Sequence, residues 1–471
     1  MLNFIYRFLI ISLIIGALIN IFANYIFQKD DLEEIISKNK ITFITRIGPT
    51  TFYQNKGVSA GFEYDLMSDF AKYIGVKLNI ITEESIDKIV DNLNTNTADI
   101  AVGLIGTPTK RELVRFSYPY NRVNQVLIYN SDKRKRPENM EDIVLGSIEI
   151  IKSSNHEEIL NSLKKENPKL KWISLDDINS DELVELVNEG LVDYTVINSN
   201  EYEVYSQFYP NIKIARRLSS SEPVAWAFSL YSDSSLSAKL KEFFEYSVSS
   251  NRINILLEKH FGHNNAFSFV GSRQFLKDIV SLLPKYEQTF REAARKNDLD
   301  WKLLASVAYQ ESRWRKDAVS YTGVRGLMML TQNTAKELGL KDRTDPVESI
   351  QGGARYLKKL LVRFPDDVKE PDRIWFALSA YNMGYGHVSD AFKLARKQNK
   401  DPYKWLEIKP FFLQLSKAKY YKTTKYGYAR GWEALKYVQN IRQYYDILVF
   451  LDSKDENKKY KETNDKIPRS L

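Results

Sequence analysis

The chain has no cysteine among its 471 residues. That excludes disulfides, thiol nucleophiles, cysteine-based zinc sites and a cysteine-borne lipid anchor. Histidine is scarce as well, limited to His156, His260, His263 and His387. Only His260 and His263, in "EKHFGHN", stand at a ligand-like spacing, and no third donor accompanies them, so neither a metal nor a cofactor is expected. Long apolar runs are missing too, apart from one at the start, "MLNFIYRFLIISLIIGALINIFANYIF". There Arg7 precedes an uncharged stretch from Phe8 to Phe27, just long enough to span a bilayer with the N-terminus inside. Phe22-Ala23-Asn24 departs from a small-x-small cleavage site. Residues 1–30 therefore read as a signal peptide or an uncleaved membrane anchor, and the remainder as exported.

What is present is globular in composition: 43% apolar, 13% aromatic and 27% charged residues. The length calls for two or three domains. Charge is unevenly spread. Residues 269–452 carry 33 lysines and arginines against 21 aspartates and glutamates, a net +12, while the rest carries 35 against 39, a net −4. A basic surface on an exported chain suits anionic lipid or an acidic polymer of the envelope, and no nucleic-acid partner is expected.

Between Lys40 and Gly262, short β-rich runs ("ITFITR", "KLNIIT", "ADIAVGL", "NQVLIY", "LGSIEII", "KWISL", "YTVIN") alternate with helical ones ("EYDLMSDFAKYIG", "HEEILNSLKKEN", "SDELVELVNEG"). This predicts an α/β domain with mostly parallel sheets, in one or two lobes. After Val270 the strands vanish, and amphipathic helical runs follow one another to Leu451. The expected organisation is an α/β domain over 31–268, an all-α-dominated domain over 269–452, and a charged, disordered tail over 453–471.

The order Gly61-Phe62-Glu63-Tyr64-Asp65, Ala98-Asp99, Thr109-Lys110-Arg111 and Phe116-Ser117-Tyr118-Pro119-Tyr120 resembles the family-3 extracellular solute-binding proteins. The resemblance implies a two-lobed, periplasmic-binding-protein-like fold. It assigns Arg111 to the carboxylate of a ligand, a pairing that suits the planar guanidinium. The position that usually offers an aspartate to an ammonium follows the strand Tyr194–Ile197 and is Asn198 here. That departure points away from free amino acids and towards a peptide or muropeptide.

In "DWKLLASVAYQES", Leu304, Val307 and Ala308 lead by helical steps to Glu311, placing the carboxylate on a buried stripe near the helix end. Burial raises a carboxyl pKa unless a cation compensates, and a raised acid can protonate a glycosidic oxygen near neutral pH. Taken alone, this helix is explained as well by a salt bridge from Glu311 to Arg313 or Arg315. Its company is more specific. Ser312 follows, then Ser320, then Gly326-Leu327-Met328-Met329-Leu330-Thr331, then Ala380-Tyr381-Asn382 with Gly384, and finally Tyr437-Val438 on a late helix.

This ordered set resembles the goose-lysozyme-like domain of the lytic murein transglycosylases, with Met329 where most members carry glutamine. The resemblance implies a lysozyme-like fold and peptidoglycan glycan strands as substrate. Glu311 is implied as the one catalytic group, acid first and then base, closing a 1,6-anhydro ring on N-acetylmuramic acid. Ser312, Ser320, Gly326, Met328, Met329, Tyr381, Asn382 and Tyr437 are implied as substrate-binding. Combined with the upstream region, it implies an envelope enzyme of cell-wall turnover on the periplasmic side of a membrane, peripheral to the outer one or anchored in the inner one. The α/β region is then regulatory. A hydrolytic muramidase on the same fold, and a non-catalytic envelope sensor, are the competing readings.

Overall fold

The computed structural model describes residues 30–55, 57–262, 269–320 and 323–466. The apolar run Phe8–Phe27, and with it the expected signal peptide or anchor, lies outside the described residues. Among those described, no helix is long and apolar enough to cross a membrane.

The chain folds into two compact units that each use discontinuous stretches. The first contains residues up to Thr45, Leu66–Arg122 and Pro223–Ser250. Its five-stranded sheet places Lys40–Thr45 parallel to Lys77–Thr82 on one side and to Ile100–Ala101 on the other. Ala227–Ser229 then joins antiparallel, followed by Val114–Phe116. Phe43 and Phe70 meet Trp226 edge to face, and Phe70 meets Phe243 the same way, a favoured arrangement of aromatic rings, while Trp226 and Phe243 stack.

The second unit contains Arg46–Asp65, Val123–Glu222 and everything from Asn251 on. In its three-stranded sheet, Gln125–Asn130 lies between Thr195–Asn198 and Ile212–Arg217, antiparallel to both. The expectation of mostly parallel sheets fails here. Strand–helix alternation implies parallel crossovers only while the chain stays in one sheet, and Gln125–Asn130 enters this one with partners from 65 or more residues later.

All seven runs expected as strands contain one, whereas Val114–Phe116, Ile212–Arg217 and Ala227–Ser229 went unread. From Phe269 on, the described elements are helices. Pro284 breaks the first expected one into Phe269–Ser281 and Glu287–Asn297.

The expected border at 268/269 does not divide the two units, because one core runs across it. Val126, Ile128 and Val184 belong to the same buried cluster as Trp301, Leu357 and Ile441. The rings of Phe208 and Phe450 stack with centroids 3.9 Å apart. The final helix runs Gly431–Lys466, so the segment expected to be a disordered tail is helical as far as Lys466. Lysine and glutamate have good helix propensity, and extending a helix nucleated by packed residues costs little.

Candidate active site

Asp300 caps the helix Trp301–Ser312, its carboxylate accepting from the Lys302 backbone N–H at 2.8 Å. Residues 301–309 are all buried, so this helix packs on every side. Tyr309, Phe275, Trp314 and Tyr444 form an aromatic cluster around its second half, with Tyr309 4.5 to 4.7 Å from the other three. The Tyr309 hydroxyl donates to Asp278 at 2.8 Å, and Trp314 Nε1 donates to the Ala305 carbonyl at 2.8 Å. Arg313 and Trp314 both adopt left-handed backbone, with φ of 52° and 55°, and this ends the helix just past Glu311.

Glu311 is half-buried, and no ion pair to it exists among the described residues. The salt-bridge reading with Arg313 or Arg315 is therefore excluded. Among the described residues its one hydrogen-bond partner is Tyr437, whose hydroxyl donates to Oε1 at 2.5 Å. Burial pushes the Glu311 carboxyl up to about 7, and the Tyr437 hydrogen bond partly opposes that rise. Burial foremost, and then the charge of Glu311, hold the Tyr437 and Tyr381 hydroxyls well above their ordinary value, so both stay neutral. Tyr437 comes from the long helix Gly431–Lys466 and Tyr381 from the helix Asp372–Met383. Their rings stack at 6.5 Å with planes 16° apart.

The segment after Glu311 is tied back to it. Ser312 Oγ donates to the Leu327 carbonyl at 2.8 Å, and the Tyr381 hydroxyl donates to the Met328 carbonyl at 2.9 Å. Gly326 makes the turn, with φ at +97°. A Cβ there would lie 2.1 Å from the Arg343 carbonyl oxygen, so no other residue fits. Ser320 closes its own loop by accepting from the Val324 N–H at 2.9 Å, and Met329 is half-buried with φ at 46°. Asn382 is exposed beside Tyr381, one residue before that helix ends.

Two expectations need correction. The Met328 side chain is wholly buried against Gly353, where a Cβ would approach it to 2.4 Å, so it is packing and cannot touch a glycan. Ser312 is buried with its hydroxyl committed to backbone carbonyls, so it acts as a strut. Both follow from a tight reverse of the chain that the motif spacing does not reveal.

Three further residues belong to the site. Ser349 Oγ accepts from the Met328 N–H at 3.1 Å, and Tyr356 packs edge-on to Tyr381 at 5.1 Å. Asn440 Nδ2 donates to Gln310 Oε1 at 3.0 Å, a second tie between the two helices that pair Glu311 with Tyr437. Its position three residues after Tyr437, on the same helix face, was the available signal.

In the first unit, Arg111 is exposed, with Nε donating to the Gly106 carbonyl at 2.9 Å and its guanidinium 5.2 Å from the Phe116 ring centre. In the second, Asn198 ends its strand and accepts from Asn155 Nδ2 at 3.4 Å. His260 pairs with Asp65 at 2.6 Å, whereas His263 lies outside the described residues.

Comparison with known proteins divides the chain along the sequence instead, and the first match takes in parts of both units. Residues 41–263 match the bacterial extracellular solute-binding proteins, family 3, and residues 288–404 match the transglycosylase SLT domain. Fold and site together define a solute-binding α/β region joined to a helical transglycosylase-type domain whose site holds the half-buried acid Glu311. The chain is 39% identical over 422 residues to a membrane-bound lytic murein transglycosylase F of Pseudomonas putida, covering 89% of this chain and 87% of that one. It is 42% identical over 420 residues to one of Saccharophagus degradans, covering 89% and 84%. Among solved structures, a mutant of ArgBP from T. maritima aligns at TM-score 0.45 and 23% identity, covering 49% of this chain and 99% of that one. The chain belongs to the membrane-bound lytic murein transglycosylase F family.

Proposed function

We propose that the chain cleaves the β-1,4 bond between N-acetylmuramic acid and N-acetylglucosamine in peptidoglycan as a lytic transglycosylase. The observation that carries this reading is Glu311: a half-buried carboxyl whose pKa burial pushes up to about 7, with a tyrosine and, among the described residues, no second carboxylate as its partner. Two-carboxylate hydrolases need a second acid within about 5–10 Å.

Protonated Glu311 gives its proton to the glycosidic oxygen as the bond to C1 breaks. The substrate's own acetamido carbonyl oxygen takes up the developing positive charge at C1. Glu311, now a carboxylate steadied by the Tyr437 hydroxyl, then removes the proton of the C6 hydroxyl as that oxygen bonds to C1. The products are a free N-acetylglucosamine end and a 1,6-anhydromuramic end. Glu311 is protonated again, and no water is consumed. Tyr381, Tyr437, Met329, Asn382 and the Ser320 and Gly326 turns shape the surrounding cleft.

The α/β region acts as a regulatory receptor for a carboxylate-bearing cell-wall fragment, a stem peptide or muropeptide, with Arg111 as the carboxylate contact and Asn198 in place of an ammonium-binding acid. The relatives named membrane-bound support attachment at the envelope, on the periplasmic side.

Mass spectrometry of digested sacculi tests the catalytic reading. Anhydro ends formed by the wild type and lost in Glu311→Gln support it. Reducing muramic ends in their place would establish a hydrolytic muramidase, and digestion undiminished in Glu311→Gln would remove Glu311 from the chemistry.

A further inference from the structure

Between Lys409, which pairs with Glu258, and Glu433 the chain has no acidic residue, yet it carries Lys417, Lys419, Lys422, Lys425 and Arg430. All five are exposed, and among the described residues no carboxylate pairs with any of the four lysines. Aromatic side chains are interleaved with them. Tyr426 is 51% exposed, Tyr428 54% and Trp432 50%, at a density that single surface aromatics do not reach.

This stretch is not a loose loop. The carboxylate of Asp390, itself fully buried, accepts from the backbone N–H groups of Tyr426 at 2.7 Å and Lys425 at 3.3 Å. The Tyr426 ring lies so close to Gly386 that a Cβ there would come within 2.8 Å of it. The Ala429 N–H donates to the Leu415 carbonyl at 3.1 Å, and Tyr421 meets Tyr428 edge to face at 5.7 Å. Exposed apolar rings on a backbone pinned by a buried carboxylate form a preorganised surface, which lowers the entropic cost of binding.

The stretch also leads into an element of the site. It runs directly into the helix that carries Tyr437, and Trp432 precedes that residue by about 8 Å of helical rise.

We propose that residues 417–432 form a strand-holding surface that grips the glycan strand outside the cleavage point. Tyr428 and Trp432 stack on the apolar faces of successive sugar rings, while Lys419 and Lys422 pair with the stem-peptide carboxylates that line the polymer. The assignment rests on the peptidoglycan reading above and adds to it a second contact region, separate from the acid.

The test uses the full chain with Glu311→Gln, so that binding is read without cleavage, and measures retention on insoluble sacculi at roughly 50 and 200 mM salt. Thermal unfolding of each variant verifies that it is folded. Tyr428→Ala with Trp432→Ala is expected to weaken retention about tenfold at both salt concentrations. Lys419→Gln with Lys422→Gln is expected to weaken it about threefold at low salt and little at high salt. Folded variants retained as well as their parent would overturn the proposal, and so would a loss confined to binding of vesicles containing phosphatidylglycerol, which would assign the patch to the membrane surface. Anhydro ends released by the wild-type acid are scored separately, so failure of the strand-holding surface is distinguishable from failure of the transglycosylase reading.

Discussion

The hydroxyl of Tyr437 donates to Oε1 of Glu311 across 2.5 Å, joining residues 126 positions apart in the chain. Among the described residues it is the one hydrogen-bond partner of that carboxyl, so it fixes where the acid points and partly opposes the rise in pKa that burial causes.

Replacing Glu311 by glutamine keeps the shape and removes the transferable proton. Loss of a positioned acid–base group costs at least about 10²–10⁴ in rate. Release of anhydromuropeptides from sacculi is expected to fall by that factor or more, with Tyr437 and the fold in place.

The raised pKa makes activity and stability depend on pH in a definite direction. Glu311 ionises at about 7 in the folded chain against the ordinary 4.5. Its contribution to stability is full below pH 4.5 and is lost as pH rises through about 7, because the unfolded chain gives up the proton first. The total is at most on the order of 3 kcal/mol, less whatever water reaches the carboxyl. Glu311→Gln is therefore expected to melt above the wild type at about pH 8 and level with it at about pH 4. The wild-type kcat/KM should decline on the alkaline side of about 7 as the acid loses its proton.

Tyr437→Phe removes the hydrogen bond that favours the carboxylate. A hydrogen bond to a charged group is worth about 1.5–3 kcal/mol, so the alkaline limb of the pH profile should move up by roughly one to two units. A profile that stays in place while kcat falls would show that the tyrosine acts on the substrate alone.

Gly326→Ala strikes the turn that carries the segment facing Glu311. The new Cβ would meet the Arg343 carbonyl oxygen at 2.1 Å, on a backbone with φ at +97°. The expected loss of stability is about 2 kcal/mol or more, read by denaturant unfolding.

For the α/β region, Arg111→Ala is expected to weaken binding of a stem-peptide fragment by about tenfold or more in calorimetry, through loss of a guanidinium–carboxylate pair. Equal heats of binding for variant and wild type would remove Arg111 from the ligand site.

Much of this chain was legible before folding was considered. Strand and helix periods marked both regions, because alternating and 3.6-residue apolar patterns reflect which face is buried. The order Glu311, Gly326, Tyr381, Tyr437 pointed to a candidate site only through its resemblance to the lytic transglycosylases, because the Glu311 helix alone was explained slightly better by a salt bridge. Strand direction around Gln125–Asn130, the common core that joins Val126 to Trp301, and the burial of Met328 and Ser312 were not legible. Each depends on which distant segment lies opposite, and local sequence does not encode that. Glu311 shows the division most clearly. Sequence placed a carboxylate on an apolar helical stripe and left open a salt bridge with Arg313. Only the tertiary structure, by ending the helix in left-handed backbone and bringing Tyr437 to it from another helix, left that acid with no cation beside it among the described residues and with its carboxyl pushed up to about 7 by burial.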